Sequence, residues 1–186
     1  MEQSYSQWQM AEFVFTSIMG TLLHFLYDIS GESLLVAPFS AINESIWEHM
    51  KLLYFPMLAF AWIEYAAMEK PEGKFWCIKL MGMLLGLMLI PILYYTYKGV
   101  FGKNIDWFNI AIYFLVAGLV FWLEVRVFQR KASCRIPSWT AVLLLLLIGG
   151  IFAVWTFRPP RIPLFRDPLT GNYGVVRDMI ITPALP

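Results

Sequence analysis

The sequence has 186 residues, of which 59% are hydrophobic and 15% are charged, and its formal net charge is +1. Soluble domains carry about 25% charged residues, and a soluble domain of this length leaves too much surface exposed to hide so many apolar side chains. The composition therefore excludes an ordinary soluble domain and indicates an integral membrane protein surrounded by membrane lipids. The nearly neutral charge gives no indication of nucleic-acid binding.

The N-terminal segment contains Glu2 and Glu12 but no lysine or arginine among its first 12 residues. A cleavable signal peptide has a basic region before its apolar core, so none is predicted here. The chain has two cysteines, Cys77 and Cys134. This number predicts neither a disulfide framework nor a cysteine metal cluster.

Five stretches approach the ~20 apolar residues that a helix needs to cross a bilayer. None of them alternates with a period of two, so helices are predicted rather than strands. The first stretch leaves open a start nearer Trp8. In chain order, the predicted spans are Phe13–Ile29, Ile46–Ala67, Phe75–Tyr97, Trp107–Phe128 and Trp139–Phe157.

Two segments depart from this pattern. Residues 30–45 are apolar in the middle but too short to cross, so we expect an interfacial or re-entrant piece. From Arg158 onward, four closely spaced prolines exclude a continuous helix, while the aromatic and aliphatic residues argue against a disordered linker. The fold class predicted is therefore all-α: a polytopic five-span transmembrane domain over residues 1–157 and an ordered Pro-rich C-terminal cap over residues 158–186.

Five spans divide the connections between two membrane faces. Side A holds the N-terminus and the connections after the second and fourth spans, whereas side B holds the other two connections and the tail. Lysines and arginines number six on each side. The densest short basic loop and both cysteines fall near side A, which favours a cytoplasmic N-terminus and an external tail.

Separate spans place unusual polar residues at side B. His24 and Asp28 are four residues apart near the end of the first span and share a helical face. Ionisable groups within a membrane are costly, so we expect them to face each other or a wet cavity. The candidate catalytic and metal-binding residues are His24, Asp28, Glu48 and His49, with Glu44 in the wider pool of ligands. The candidate substrate-binding residues are Asn43, Glu44, Lys51, Tyr94, Arg158 and Arg166.

This chemistry leaves alternatives open. Histidines and carboxylates on converging helices suit a divalent metal such as zinc, although the spacing matches no established zinc motif. Without a metal, a histidine would act as general base with an aspartate orienting it. Glu48 and Lys51 also suit a plain ion pair, and His24 with Asp28 suits a structural hydrogen bond.

Three segments carry a resemblance to known proteins: HFLYDISG (24–31), NESIWEHMKLLYFP (43–56) and PPRIPLFRDPLTGNYG (159–174). They resemble an uncharacterised family of small bacterial multipass membrane proteins, a domain of unknown function. The resemblance covers nearly the whole chain and implies a bacterial plasma-membrane protein, from a Gram-positive lineage, but no reaction. The His-x-x-x-Asp pair also resembles transmembrane hydrolases of the alkaline ceramidase type, although those have seven spans and further histidines.

The leading functional hypothesis is an intramembrane hydrolase or transferase acting on a lipid or lipid-linked substrate. The alternatives are a small proton- or ion-coupled transporter, or a subunit of one, and a non-catalytic membrane partner protein.

Overall fold

The computed structural model describes residues 2–68, 73–130 and 134–175. The secondary structure of these residues is helical, with one isolated bridge between Arg166 and Tyr173 and no strand. The all-α prediction is therefore confirmed. In chain order the elements are α1 (Glu2–Ile29), α2 (Ile46–Ala67), α3 (Phe75–Phe101), α4 (Asp106–Gln129), α5 (Ser138–Phe157) and a short 3-10 helix (Pro163–Phe165).

The predicted bounds of α2 are those observed, and α3, α4 and α5 differ by four residues or fewer at either end. The start of α1 was predicted wrongly, because the helix begins at Glu2 rather than near Phe13. Three polar residues of the added turns lie on the buried face of the helix. Tyr5, Gln9 and Glu12 are each buried and follow one another at helical spacing.

The exposed face of α1 is apolar, which is the reverse of a helix in a soluble protein. Met10, Val14, Ile18, Leu22 and Phe25 are all exposed, and they succeed one another at intervals of three or four residues. A lipid environment explains this pattern, because apolar side chains face hydrocarbon at no cost while polar groups need protein partners.

Four described helices, α1, α3, α4 and α5, are long and apolar enough to cross a membrane. The second helix is 22 residues long but carries Glu48, Lys51 and Glu64, which make it less apolar. All three of these side chains are buried. Their charges therefore face protein rather than the surroundings, which a composition criterion alone does not register.

The helices form a closed arrangement with a second layer on one side. The first four pack in a ring, in which α1 contacts α2 and α4, while α3 contacts the same two helices. The last helix, α5, lies against α2 and α3. This ring gives the molecule a four-helix interior with two separate ends.

Residues 30–45 form a series of turns fastened to the bundle by a buried lysine. The Lys51 ammonium donates to Ala37 O and Thr156 Oγ1, each at 2.9 Å, and lies 2.5 Å from Glu48 Oε2. The other contact of Glu48 is with Ile42 N, which donates to Oε2 at 3.1 Å. The plain ion pair that the spacing of Glu48 and Lys51 left open is therefore confirmed, and it joins the turn segment to α2 and α5.

The tail folds back onto the start of α2 and the end of α5. We call this end of the bundle side B and the opposite end side A. Phe165 is buried, with its ring centroid 4.5 Å from that of Trp47 and 5.5 Å from that of Trp155. Asp167 closes the following turn by accepting from Leu169 N at 3.0 Å and Thr170 Oγ1 at 2.6 Å. The described part of the tail is thus ordered, and residues 176–186 lie outside the described residues.

At side A, Cys77 and Cys134 form a disulfide, which the sequence did not predict. Their Cα atoms are 6.3 Å apart, within the range that a disulfide spans. The bond ties the first turns of α3 to the connection before α5. It also removes one argument for a reducing environment at side A.

Candidate functional site

A pocket of about 430 Å³ opens at side B among the first four helices. Ligand sites typically enclose roughly 300–1,000 Å³ and combine apolar walls with a few polar groups. Here apolar side chains from all four helices form most of the wall, while the polar residues gather toward the helix ends. The polar lining residues include His24, Glu44, His49, Tyr94, Asn104, Asp106, Asn109 and Tyr113.

Two histidines converge on one carboxylate in this pocket. His24 Nε2 lies 3.5 Å from Glu44 Oε1, and His49 Nε2 lies 3.4 Å from Glu44 Oε2. The two imidazole centroids are 5.4 Å apart. His24 comes from the end of α1, Glu44 from the turn segment, and His49 from the first turn of α2. We call these three residues the His–Glu–His group.

The local fold orients His49 within this group. Its Nδ1 lies 2.9 Å from Ser45 O, one turn earlier, so the protonated Nδ1 donates to that carbonyl. This contact directs Nε2 toward Glu44, where it would be the ligand atom once a metal displaces its proton. Hydrogen bonding from His24, and then from His49, holds the pKa of the Glu44 carboxyl well below its usual range.

The group has the composition and spacing of a metal site. One ligand atom from each of His24, Glu44 and His49 lies within 4.8 Å of the others. Two imidazoles and one glutamate form a recurrent catalytic zinc set, with bonds of about 2.0 Å and a fourth position open to water. In a tetrahedron of such bonds the ligand atoms are about 3.3 Å apart, close to the His–Glu distances measured here.

The floor of the pocket is closed by Tyr113 of α4. Its hydroxyl lies 3.0 Å from Thr16 O and 3.2 Å from Leu52 O, bridging α1 and α2. Gly20 makes this possible, because a Cβ there would stand 2.2 Å from the Tyr113 hydroxyl. The tyrosine therefore separates the pocket from the interior below it.

Amide groups from the connection before α4 and from the first turn of α4 are held at the pocket wall. Asn109 Nδ2 donates to Asn104 Oδ1 at 3.0 Å, and the Tyr97 hydroxyl lies 2.9 Å from the same oxygen and also contacts Asn109 Oδ1. Asp106 lines the same wall, and Asn104 Nδ2 donates to it at 3.4 Å. Fixed amides beside a carboxylate can bind the hydroxyl, amide or phosphate groups of a ligand.

The sequence profile of a family of unknown function, DUF6512, matches residues 1–175. The chain belongs to this family. The match includes all five helices and the described tail, and it confirms the expectation of an uncharacterised family. No curated protein and no solved structure matches the chain. None of these comparisons assigns a chemistry to the pocket, so its chemistry is inferred from the residues that line it.

The structure brings together only some of the residues proposed from the sequence. His24 and His49 meet as expected, but Glu44 rather than Asp28 or Glu48 completes the group. Asp28 is exposed and lies outside it. The Glu48 carboxylate is engaged by Lys51 instead.

The residues proposed for substrate binding are also divided. Tyr94 lines the pocket, as does Glu44, and Lys98 Nζ lies 3.3 Å from the Tyr94 hydroxyl. Asn43 is occupied by the fold, since it accepts from Ser45 N at 2.9 Å and its amide donates to Gly174 O at 3.4 Å. Arg158 and Arg166 are exposed and do not line the pocket, although Pro168 and Leu169 of the same tail do.

A second polar group, which the sequence reading did not assemble, lies at the side A end of the ring. Lys79 of α3 is surrounded by Glu12 of α1, Glu64 of α2 and Glu124 of α4. We call these four residues the Lys79 cluster. Glu64 and Glu124 thus pair with Lys79, away from the side B pocket. The signal was present in the sequence, as a lysine inside an otherwise apolar helix.

Proposed function

We propose that the chain is a metal-dependent membrane hydrolase or transferase, with its active site in the side B pocket and a lipid or lipid-linked molecule as substrate. The observation that carries this proposal is the His–Glu–His group at the polar end of an apolar pocket. Imidazole and carboxylate ligands with an open coordination position are the usual construction of a catalytic zinc site.

The membrane setting is part of the proposal. We infer that α2 is a fifth span, enclosed by α1, α3 and α5, so that its buried charges are shielded from lipid. Five spans place the His–Glu–His group at one membrane face, with the Pro-rich tail as a cap beside it. The family resemblance favours a bacterial plasma membrane.

The pocket lining supports a substrate that has an apolar body and a polar head. Leu52, Ile90 and Phe114 are among the apolar wall residues, and they suit an acyl or prenyl chain. Asn104, Asp106 and Asn109 form the polar wall and suit a headgroup. A lipid entering from the bilayer would then present the bond next to its headgroup to the histidines.

Each residue of the group has a role in this scheme. His24, Glu44 and His49 would hold the metal, and the Ser45 carbonyl would fix the tautomer of His49. A bound zinc would supply a water of lowered pKa and polarise the bond under attack. Asp106 is a carboxylate of the pocket outside the His–Glu–His group, and we assign it the role of proton acceptor from the attacking water.

A small proton-coupled transporter is the second candidate, and the Lys79 cluster is the observation that favours it. Carboxylates and lysine buried within a membrane bundle are typical of proton relays. A transporter also needs a polar path between the faces. Leu53, Val116 and Val120 occupy the interior between the two polar groups, and all three are fully buried, so an enzyme is favoured over a transporter.

Metal binding is the first test. The purified protein in detergent should bind about one zinc ion per chain, measured by isothermal titration calorimetry and by metal analysis. The double variant His24→Ala/His49→Ala should lose this binding. Asp28→Asn is the matched control, because it removes a carboxylate four residues from His24 without touching the group. Equal and negligible zinc in the wild type and the double variant would refute the metal site.

The reaction is the second test. Wild-type protein in vesicles of a bacterial lipid extract should release free fatty acid or headgroup in a zinc-dependent manner, detected by mass spectrometry. Asp106→Asn should lower the turnover at least tenfold while zinc affinity is retained. A zinc-loaded protein that leaves every lipid of the extract intact, with and without an added acceptor alcohol, would refute the enzymatic assignment.

A further inference from the structure

The Lys79 cluster collects one charged residue from each helix of the ring. Lys79 Nζ lies 2.8 Å from Glu64 Oε2 and 3.1 Å from Glu124 Oε2, and it also contacts Glu12 Oε2. The side chains of all four residues are between 0% and 2% exposed. The titratable groups facing Lys79 are Tyr5 and Glu12 of α1, Glu64 of α2 and Glu124 of α4. The fifth helix contains no titratable residue.

The charges of this cluster do not balance if every group is ionised. Three carboxylates against one ammonium leave a net charge of −2 in a space without solvent. A buried charge without a counterion is costly enough that a titratable group neutralises instead. Two protons on the carboxylates would bring the cluster to neutrality while Lys79 remains charged.

The hydrogen-bond inventory gives an independent indication of missing protons. Glu12 Oε1 and Glu124 Oε1 are buried and have no hydrogen-bond partner among the residues that the structure describes. The same is true of Gln9 Oε1, although its amide nitrogen reaches Glu64 Oε1 at 3.4 Å. These are acceptors without donors. A protonated carboxyl supplies a donor where a carboxylate has none.

A bound metal ion is a poorer occupant of the same space. The Lys79 ammonium already lies where a cation would bind, in contact with one oxygen of each carboxylate. Gly82, one turn further along α3, leaves room only for the Glu124 carboxyl, since a Cβ there would stand 1.9 Å from Oε1. Protons need no such room.

We propose that the Lys79 cluster is a proton-binding site that holds two exchangeable protons at neutral pH. Each is bound when a carboxylate takes a proton from water and becomes a neutral carboxyl, and it returns to water by the reverse step. Lys79 is only four residues from the start of α3, about 6 Å along the helix axis, so side A is the nearer source of water. The side B pocket is further, since Glu12 and His24 are about 18 Å apart along α1.

Infrared spectroscopy of the protein in lipid vesicles tests the proposal, because a protonated carboxyl has its own C=O band that shifts in D2O. The wild type at pH 7 should show two such carboxyls more than the double variant Glu12→Gln/Glu124→Gln, in which Glu64 and Lys79 balance. Glu124→Gln alone should lose one. Glu32→Gln removes an exposed carboxylate outside the cluster and should lose none.

The variant Lys79→Met should change the carboxyl band in the opposite direction, which gives a second test. Without the ammonium, neutrality needs three protons, so the carboxyl band should grow by one relative to wild type. If this variant does not fold, the glutamine variants of Glu12 and Glu124 still test the proposal. A wild-type band equal to that of the double variant would overturn the proposal, as would a band that sodium ions abolish or one that does not shift in D2O.

Discussion

Among single residues, His49 shows how backbone geometry can orient a candidate metal ligand. Its Nδ1 proton is committed to Ser45 O, one helical turn earlier, so the opposite nitrogen is presented to Glu44. His24 approaches the same carboxylate from another helix. Without a metal, the carboxylate is held ionised by two imidazoles that donate to it. A metal must therefore displace protons from both rings.

This competition predicts that zinc affinity falls as the pH is lowered. The lowered pKa of Glu44 keeps its carboxylate ionised through the acidic range, so the dependence comes from the imidazoles. For each proton that zinc displaces from the group, the dissociation constant should rise by up to about tenfold per pH unit of acidification. Calorimetry in buffers of different ionisation enthalpy should detect the released protons. A zinc affinity that is constant between pH 5 and pH 8 would contradict this arrangement.

Among the helices, the first turns of α2 have two separate structural roles. The face that carries His49 lines the pocket, while Glu48 and Lys51 fasten the turn segment 30–45 to the bundle. Lys51 is fully buried, and its ammonium contacts three elements of the fold. Glu44, at the end of that segment, depends on this attachment for its position.

Lys51→Met should therefore destabilise the protein by about 3–5 kcal/mol, because it leaves the Glu48 carboxylate buried without its counterion. The double variant Lys51→Met/Glu48→Gln should recover part of the loss. Thermal or denaturant unfolding in detergent measures both. Lys103→Met changes an exposed lysine and should leave stability within about 0.5 kcal/mol. A Lys51→Met protein as stable as that control would show that the pair contributes little.

The contact between α3 and α4 depends on Gly82. An added Cβ would collide with the Glu124 carboxyl, so Gly82→Ala should displace Glu124 from Lys79 and cost about 1–3 kcal/mol. Gly99→Ala is the matched control in the same helix, since among the described residues no atom outside its own helical turn lies within 4 Å of its Cβ position. The control should be neutral or slightly stabilising. The same unfolding measurement should separate the two variants, and equal stabilities would contradict the close packing.

The helices were predictable because apolar runs of this length have few alternatives, and the bounds of α2 follow from its flanking polar residues. The sequence placed Glu44 in a pool of candidate ligands but did not single it out as the carboxylate between the two histidines. Neighbouring residues on a helix do not share a face. Once His49 faces the pocket, Glu48 is directed away from it. Glu44 precedes the helix, where spacing rules do not apply, so its approach to both histidines could be found only from the folded turn segment.

The Lys79 cluster was missed for a different reason. Hydropathy treats Tyr5, Gln9 and Glu12 as residues that weaken a span, so the predicted helix began after them. Their spacing of four and three residues nevertheless marks one helical face. In a membrane bundle a polar stripe points inward, and its partners on the other helices are too distant in sequence to be identified from spacing.

At the scale of the whole molecule, the ring of four helices separates two polar groups of different character. The side B pocket is open and contains imidazoles, amides and the carboxylates of Glu44 and Asp106, whereas the Lys79 cluster is buried. Between them, Leu53 approaches the backbone of α3 at Gly86, with Val116 and Val120 beside it. The bundle thus has an open pocket at one end and a group of buried charged residues at the other.

The disulfide at side A bears on how this molecule lies in the membrane. Basic residues do not distinguish the two faces by number, and the basic loop before α5 favours a cytoplasmic side A. Disulfides persist in oxidising compartments, so the pair Cys77–Cys134 favours an external side A. We give the disulfide more weight, because only one loop distinguishes the two faces by its density of basic residues. This orientation would place the side B pocket at the cytoplasmic face.

Cysteine labelling in intact cells tests this orientation. In a Cys77→Ser/Cys134→Ser background, Gln129→Cys at side A should react with a membrane-impermeant maleimide, because both the residue and the face would be exposed to the medium. Lys103→Cys at side B should react only after the membrane is permeabilised. The wild-type cysteines should resist alkylation until a reductant is added. The reverse pattern, with free wild-type thiols and an externally labelled Lys103→Cys, would place the N-terminus in the cytoplasm and show that the basic loop outweighs the disulfide.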